Sequence, residues 1–574
     1  MDKIWLRNYP AGVPAEINPD EVASLQAMLE RRFAQFGARP AYTLMDRALT
    51  YADLDRLSRQ FAAYLQKVAG LGHGDRIAIM LPNILQYPVA IAAAFRAGLT
   101  VVNTNPLYTP RELEHQLKDS GAKAILIFEN FAHTLDEVLP ATHIETVIVT
   151  GVGDLLGFPK STLVNFVVRH VRKQVPEYSL PGSIGFLEAL GKGKFENLQP
   201  VPIGHDDVAF LQYTGGTTGV SKGAVLTHRN MVANVLQTEA WMGPSLRGQT
   251  EQMVLVTALP LYHIFSLQGC LTFIKLGAHN VLIANPRDFP GFVKELGKYR
   301  FTFFAGVNTL FNALLNTPGF DRLDFSALKV SLGGGMAVQR AVAERWKQVT
   351  GNTLTQAWGL TETSPGACIN KLDDPEFNGS IGLPIPSTII TIRDDDGNAL
   401  PVGQSGEICV EGPQVMRGYW NRLDETEKVM LPGQVLRTGD IGYMDARGFV
   451  YIEDRKKDMI LVSGFNVYPN EVEGVAVTHP GVLEVAAVAQ PDERAGEVVA
   501  LFVVRKDPSL TEEALIEHCR KSLTGYKVPK RVYFMDELPK TNVGKILRRE
   551  LKDSLKPQPA KPVAAAPVVA PHGH

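Results

Sequence analysis

The sequence predicts an α/β protein: a large N-terminal domain of layered α/β units with a β-barrel-like subdomain, then a small α+β C-terminal domain. Three observations carry this. Helix and strand patterns alternate from residue 50, the stretch from about 380 to 453 switches to alternating apolar and polar residues, and a shorter mixed pattern runs from the charged knot DRKKD at 454–458 to Leu555. A length of 574 residues exceeds one ordinary core, so two or more domains are expected.

In chain order, LTYADLDRLSRQFAAYLQKV reads as a helix, DRIAIML as a strand, PNILQYPVAIAAAFRAG as a second helix and LTVVN as a strand, the alternation of a largely parallel sheet. TIITIRDDDGNALPVGQSGEICVEG alternates around a D-G turn and predicts an antiparallel subdomain over about 380–453. The N-terminal domain is placed at 1–454 and the C-terminal domain at 455–555. The Pro/Ala-rich residues 556–574 offer nothing to pack and are expected to be disordered.

Lys and Arg total 58 against 60 Asp and Glu, so no global field draws the chain to nucleic acid. Cys270, Cys368, Cys409 and Cys519 lie far apart without a C-x-x-C pair, which argues against a disulfide framework or a zinc site and fits a reducing cytosol. The N-terminal residues carry prolines and charges where a signal peptide needs an apolar core, and no apolar run approaches the roughly 18 residues of a membrane span. The expected place is the cytoplasm, in solution or peripherally on the inner membrane.

Residues 213–223, YTGGTTGVSKG, form the densest cluster of glycines and hydroxyls. Glycines let backbone N–H groups crowd an anion, and Thr214, Thr217 and Thr218 add donors without bulk, a loop shaped for phosphate. It follows the strand-like VAFLQ and precedes KGAVLTHRNMVANV, read as a helix. Lys222 follows Ser221 and precedes Gly223, so the loop is not a Walker A motif, and it holds no G-x-G-x-x-G. Taken alone it is equally a surface loop.

Other segments add to it. SLGGGMAV places Gly333, Gly334 and Gly335 after a strand-like run, where a flat ring can lie against bare backbone. QAWGLTETSP offers Gln356, the aromatic face of Trp358, Gly359, the hydroxyl of Thr361 and the carboxylate of Glu362, a ligand type for magnesium on phosphates. RTGDIGYMD sets Asp440 in a tight turn, where a carboxylate can accept both hydroxyls of a ribose, and LPKTNVGKILRREL presents Lys545 just before a basic helix. Singly, Glu362 and Lys545 are ordinary solvated charges and Asp440 is a turn former.

Together, in this order and spacing, these segments resemble the adenylate-forming superfamily of acyl-CoA synthetases, adenylation domains and beetle luciferases. Within it the chain is most similar to bacterial long-chain fatty acid CoA ligases, through INPDEVASL, NPLYTPRELEHQLKDSGAKA, LPLYHIFSL, NPRDFPGFVKELGKY, GVNTLFNALLN, DRKKDMILVSGFNVYPNEVE and LTGYKVPK. The likeness covers about residues 20–553.

The resemblance implies a mobile C-terminal domain and a two-step reaction with ATP, Mg2+ and coenzyme A: a carboxylate attacks the α-phosphate to give acyl-adenylate and pyrophosphate, then the CoA thiol displaces AMP. It assigns Thr214, Gly215, Gly216, Thr217, Thr218, Gly219 and Lys222 to the departing phosphates, Gly333, Gly334, Gly335 and Trp358 to the adenine site, and Gln356 and Gly359 to nucleotide binding. Thr361 and Glu362 would meet the α-phosphate and the metal, with Thr217 as a further metal ligand. Asp440 and Arg455 would hold the ribose, Lys545 would bridge carboxylate and α-phosphate, and Lys457 would be the hinge. Gly464 would leave room for pantetheine, and His263 would sit where acyl group and thiol meet, although a core histidine is the competing reading. A homodimer is also implied. The chain departs from the family pattern at Gly215, usually serine, at Trp358, often tyrosine, and at Val435, often tryptophan.

YRFTFFAGVNTLFNALLNTP at 299–318 mixes aromatic and small residues as an acyl tunnel wall would, or as ordinary core would. FPKSTLVNFVVRHVRK sets Leu163, Phe166, Val167 and Val171 at helical spacing beside Lys160, Arg169, Arg172 and Lys173, a basic amphipathic segment suited to an anionic membrane or to its own domain. The expected activity is a long-chain fatty acid CoA ligase. The alternatives are a medium-chain or aryl acid CoA ligase, an enzyme loading a separate carrier protein, a luciferase-like oxygenase and a fatty acid binding component.

Overall fold

The computed structural model describes residues 2–214, 221–492, 494–541 and 544–555. The predicted Gly215, Gly216, Thr217, Thr218 and Gly219, and the tail 556–574, lie outside the described residues. Two compact units are present: Met1–Lys457 with Asn542–Lys545, and Asp458–Thr541 with Ile546–His574. The division falls between Lys457 and Asp458, inside the DRKKD knot, and Lys545 is grouped with the larger unit.

Among the described residues, the larger unit holds three sheets. One has seven strands, in the order Ile184–Gly185, Thr146–Thr150, Ala124–Phe128, Arg76–Met80, Thr100–Asn103, Val208–Thr214 and Lys222–Thr227, parallel except for the last pair. Its helices follow from local sequence. Thr50 and Asp53 form a capping box that starts helix Tyr51–Lys67, whose Leu54, Leu57, Phe61 and Leu65 are buried. Helix Gln86–Arg96 is apolar nearly all round and is buried along its whole length. Its one charge, Arg96, is held by Glu30 at 2.9 Å and Asp55 at 2.5 Å, as a buried guanidinium requires.

A nine-stranded sheet carries, side by side, Leu354–Gly359, Val330–Gly333, Phe303–Gly306, Val254–Thr257 and His279–Leu282, all parallel. Parallel strands deliver their C-terminal ends to one edge, so the glycines after Val330 and the Trp358 segment emerge together. The third sheet is antiparallel, with Ile389–Arg393, Gly406–Glu411, Val435–Met444 and Val450–Arg455 among its strands, the β-rich region expected from 380–453.

Two local expectations need correction. KGAVLT is a strand, not the start of a helix: it runs antiparallel to Val208–Thr214 with Thr214 opposite Lys222, and the helix begins only at His228, capped by Thr227 and Asn230. Its alternating apolar residues find a partner strand, which local pattern did not reveal. Asp440 is likewise not in a tight turn but inside the long strand Val435–Met444, opposite Arg455. Gly439 at φ +73° bends that strand, which explains the turn-like sequence.

The smaller unit pairs Val482–Asp492 with Gly496–Arg505 in an antiparallel ribbon, extended by Ile460–Val462, Phe465–Val467 and the parallel Arg531–Met535. Gly464 occupies the hairpin between the two short strands at φ +85°, and a Cβ there would meet nothing within 4 Å.

Candidate active site

The predicted residues of the larger unit converge through side-chain contacts. Asp440 is only 3% exposed, and its carboxylate accepts from the Trp358 indole N–H at 2.9 Å and faces Arg455 Nε at 3.4 Å. Burial raises the Asp440 pKa, opposed by Arg455, Trp358, Lys545 and Lys457. Lys545 belongs to the same charge group: burial and Arg455 push its ammonium down to about 8, against the pull of Asp440 and Glu362.

The Lys545 stem lies against bare backbone. A Cβ on Gly335, which has φ +76°, would stand 3.5 Å from Lys545 Cε, and the neighbouring Gly544 carbonyl accepts from Thr309 Oγ1 at 3.1 Å. Gly334 is tighter, since a Cβ there would sit 3.2 Å from the Phe265 ring and 3.3 Å from the Ala357 carbonyl. Side chains at Gly334 and Gly335 would therefore narrow the edge beside Lys545. Gly333 ends its strand facing Val338, and Gly359 closes on the Pro365 carbonyl so tightly that a Cβ would lie 1.8 Å from it. Gln356 is buried and its amide is spent locally, accepting from Val338 N at 2.9 Å and donating to the Ser380 carbonyl at 3.1 Å, so it braces the glycine segment.

Thr361 and Glu362 stand on the one-turn helix Thr361–Thr363. The Tyr419 hydroxyl donates to Glu362 Oε1 at 2.7 Å, and the Lys222 ammonium lies 4.6 Å from the centre of the Tyr419 ring. Lys222 is also paired with Glu425 at 2.6 Å, and with Lys428 it holds the Glu425 carboxyl down to about 2. Thr214, at the end of its strand, faces Lys222 through the ladder. Tyr419 and Glu425 were not singled out from sequence. The sole signal was the aromatic pair in RGYWNRLDET, which looks like many surface turns.

His263 caps the helix Ile264–Lys275, its Nδ1 accepting from the Phe265 N–H at 3.3 Å. Burial, with help from Lys545, lowers its pKa to about 3, so the imidazole is neutral near pH 7. With Nδ1 accepting, the proton sits on Nε2 and the ring presents a donor. Beside the first turns of this helix is a cavity lined by Thr238, Phe265, Gly269, Phe273, Phe303 and Ala305. Of the 299–318 stretch, Phe303 and Ala305 reach it, whereas Phe304 and Phe311 point to the other side of the sheet and pack on Trp346. The period-two strand divides that stretch between cavity wall and core.

Glu362 provides one hard oxygen ligand next to Thr361, and no cluster of three or more His, Cys, Asp or Glu suited to a metal occurs among the described residues. A lone carboxylate fits magnesium, which keeps waters and substrate oxygens as its other ligands.

Residues 29–420 match the AMP-binding enzyme family, and residues 471–545 match the AMP-binding enzyme C-terminal domain. The chain is 58% identical over 560 residues to a long-chain-fatty-acid–CoA ligase of Escherichia coli O6:H1, covering 97% of this chain and 99% of that one. It is 37% identical over 555 residues to a long-chain-fatty-acid–CoA ligase of Bacillus subtilis, covering 96% and 97%. ATP-bound MatB from Rhodopseudomonas palustris superimposes with a TM-score of 0.78 at 27% identity, covering 92% of this chain and 99% of that one. The fold alone is shared with the anthranilate CoA ligase AuaEII, at a TM-score of 0.82, 23% identity and coverage of 94% and 99%. With most of its length matched by the family and near-complete relatives on either side, the chain belongs to the adenylate-forming AMP-binding enzymes.

Proposed function

We propose that the chain is an AMP-forming acid–thiol ligase: it activates a long-chain fatty acid with ATP to acyl-AMP and pyrophosphate, then passes the acyl group to CoA with release of AMP. The observation that carries this at the site is Lys545, a half-buried ammonium set among Arg455, Asp440, Glu362 and Lys457. Attack by a carboxylate on the α-phosphate spreads negative charge over oxygens, and a prepositioned ammonium stabilises that charge without reorganising.

In this reading Lys545 bridges the incoming carboxylate and the α-phosphate. Asp440 accepts the ribose hydroxyls while Trp358 fixes one of its oxygens and offers the adenine a flat wall, with Gly333, Gly334, Gly335 and Gly359 keeping that wall thin. Thr214, Lys222 and the predicted Gly215–Gly219 hold the departing phosphates. Magnesium, held by Glu362 and by Thr217, would neutralise phosphate charge. The neutral Nε2–H of His263 donates toward the acyl group rather than removing a proton. The cavity beside Gly269 takes the acyl chain.

Two steps with different needs at one place call for a moving part. The compact units part between Lys457 and Asp458, which supports Lys457 as the hinge, with Gly464 facing the pantetheine arm in the second step. A homodimer and peripheral contact with a membrane surface complete the proposal. No helix among the described residues is long and apolar enough to cross a membrane.

The direct test is thioester formation with ATP and magnesium across saturated acids from acetate to stearate. Activity peaking at long chains is the expected result. Release of AMP and pyrophosphate without thioester would move the acceptor from CoA to a carrier protein, and a peak at short or aryl acids would overturn the long-chain reading.

A further inference from the structure

The segment after Gly157 turns a row of large apolar side chains outward. Its first turns, Lys160–Phe166, are α-helical and continue as a π-helical turn, Val167–Val171, and no residue of either is buried. The large apolar side chains face outward: Phe158 is 88% exposed, Leu163 64%, Phe166 56% and Val171 65%. Water-facing apolar groups this concentrated are unfavourable unless something covers them.

Two polar residues, Asn165 and Arg169, hold the segment to the protein. Asn165 donates to Asp154 Oδ1 at 2.8 Å and accepts from the Gly153 N–H at 2.7 Å, and Arg169 pairs with the buried carboxylate of Glu129. Gly151 and Gly153 make room for this seam. A Cβ on Gly151 would lie 2.9 Å from both Asn165 Oδ1 and Glu129 Oε1, and one on Gly153 would lie 2.5 Å from Asn165 Oδ1. Lys160 ties the other end to the turn at Met45 through that residue's carbonyl, and Met45 is itself exposed. The seam, with Val164 packed against the core, holds one side of the segment and leaves Phe158, Leu163, Phe166 and Val171 outward.

Charge selects the occupant. Between Asp154 and Glu177 the chain carries Lys160, Arg169, Arg172 and Lys173 and no acidic residue. Arg172 and Lys173 are exposed at the end of the apolar row. Exposed phenylalanine and leucine flanked by cations match the boundary between acyl chains and anionic headgroups. We propose that residues 158–173 are a docking element for an anionic bilayer surface, with Phe158, Leu163, Phe166 and Val171 entering the headgroup boundary and Arg172 and Lys173 meeting lipid phosphates. This rests on the peripheral contact proposed above and names the surface that makes it.

The experiment is flotation of the full chain with vesicles of phosphatidylcholine plus phosphatidylglycerol, and with phosphatidylcholine alone. The chain is expected to float with the mixed vesicles. L163S/F166S and R172E/K173E are each expected to weaken that binding roughly tenfold or more, while the exposed control Leu187→Ser retains it. The altered side chains are exposed, and melting temperatures equal to that of the parent verify folding. If L163S/F166S melts early, R172E/K173E decides alone. Binding that survives both double variants overturns the assignment of this segment and leaves peripheral contact standing. Failure of the parent chain to bind either vesicle overturns both. Loss of a dimer in light scattering by L163S/F166S, with vesicle binding unchanged, would give the face to a second copy and overturn the proposal.

Discussion

The Tyr419 hydroxyl donates to the Glu362 carboxylate at 2.7 Å while the Tyr419 ring lies under the Lys222 ammonium, so one side chain links the proposed metal ligand to the proposed phosphate ligand. A carboxylate held by one donor keeps its remaining lone pairs aimed. Tyr419→Phe removes that donor and retains the ring. Pyrophosphate release is expected to slow by roughly ten- to a hundredfold, the worth of a hydrogen bond to a charged group, and to need more magnesium for half-maximal rate. Unchanged rate and magnesium dependence would remove Tyr419 from the site's machinery.

Acid should weaken the larger unit through its buried histidines. His228 accepts from the Leu25 N–H at 3.2 Å and packs edge-on to Phe95 at 4.9 Å, and burial lowers its pKa to about 4, with a small opposing pull from Asp207. Below an ordinary value of about 6.5, the unfolded chain takes up a proton that the folded chain refuses. Stability from this residue is therefore whole above 6.5 and falls as pH drops toward 4, by roughly 3 kcal/mol at the limit. His228→Gln keeps an acceptor and removes the titration. Its melting temperature should lie below the parent's at pH 7, with a smaller further drop at pH 4.5. An equal drop in both proteins would assign the acid sensitivity elsewhere.

These cases also show what the sequence made legible. The helix Tyr51–Lys67 was readable because its capping box and its apolar stripe are local. Asp440, Lys545 and Glu362 stood out only as an ordered set that resembles a known family, and the structure brings them into one charge group. Tyr419 was not: it meets Glu362 across 57 residues of sequence, and a lone tyrosine after a glycine announces nothing. The strand Lys222–Thr227 was missed for the same reason, because an apolar hexapeptide is a strand only once its partner is known. Gln356 shows the reverse, a residue in a functional motif whose amide is taken up by its own backbone neighbourhood.

Gly269 gives a separable test of the proposed acyl cavity. It sits within the helix Ile264–Lys275 and lines the cavity, and a Cβ there would touch nothing within 4 Å. A Cβ at this position therefore displaces no backbone, and replacing a helical glycine removes a cost of about 1 kcal/mol. Gly269→Leu should raise the melting temperature slightly while shifting the preferred acid to shorter chains, read as the ratio of kcat/KM for stearate to that for octanoate. A stabilised protein with an unshifted ratio would place the acyl chain in another channel.

Lys545 and Lys457 separate the two half-reactions. Lys545→Ala should abolish acyl-adenylate formation and leave thioester formation from supplied acyl-adenylate largely intact, because the ammonium is needed only while charge builds on the α-phosphate. With its pKa lowered to about 8, Lys545 is charged below that pH and neutral above it, so adenylation should fall as pH rises through about 8. Lys545→Arg, whose charge persists, should flatten that limb in whatever activity remains. Lys457→Pro should do the opposite to the two halves, impairing thioester formation more than adenylation, since restricting backbone rotation where the compact units part hinders the change of pose rather than the first chemistry. Single-turnover assays of each half-reaction read both effects, and equal losses in both halves for both variants would mean that one fixed arrangement serves the whole reaction.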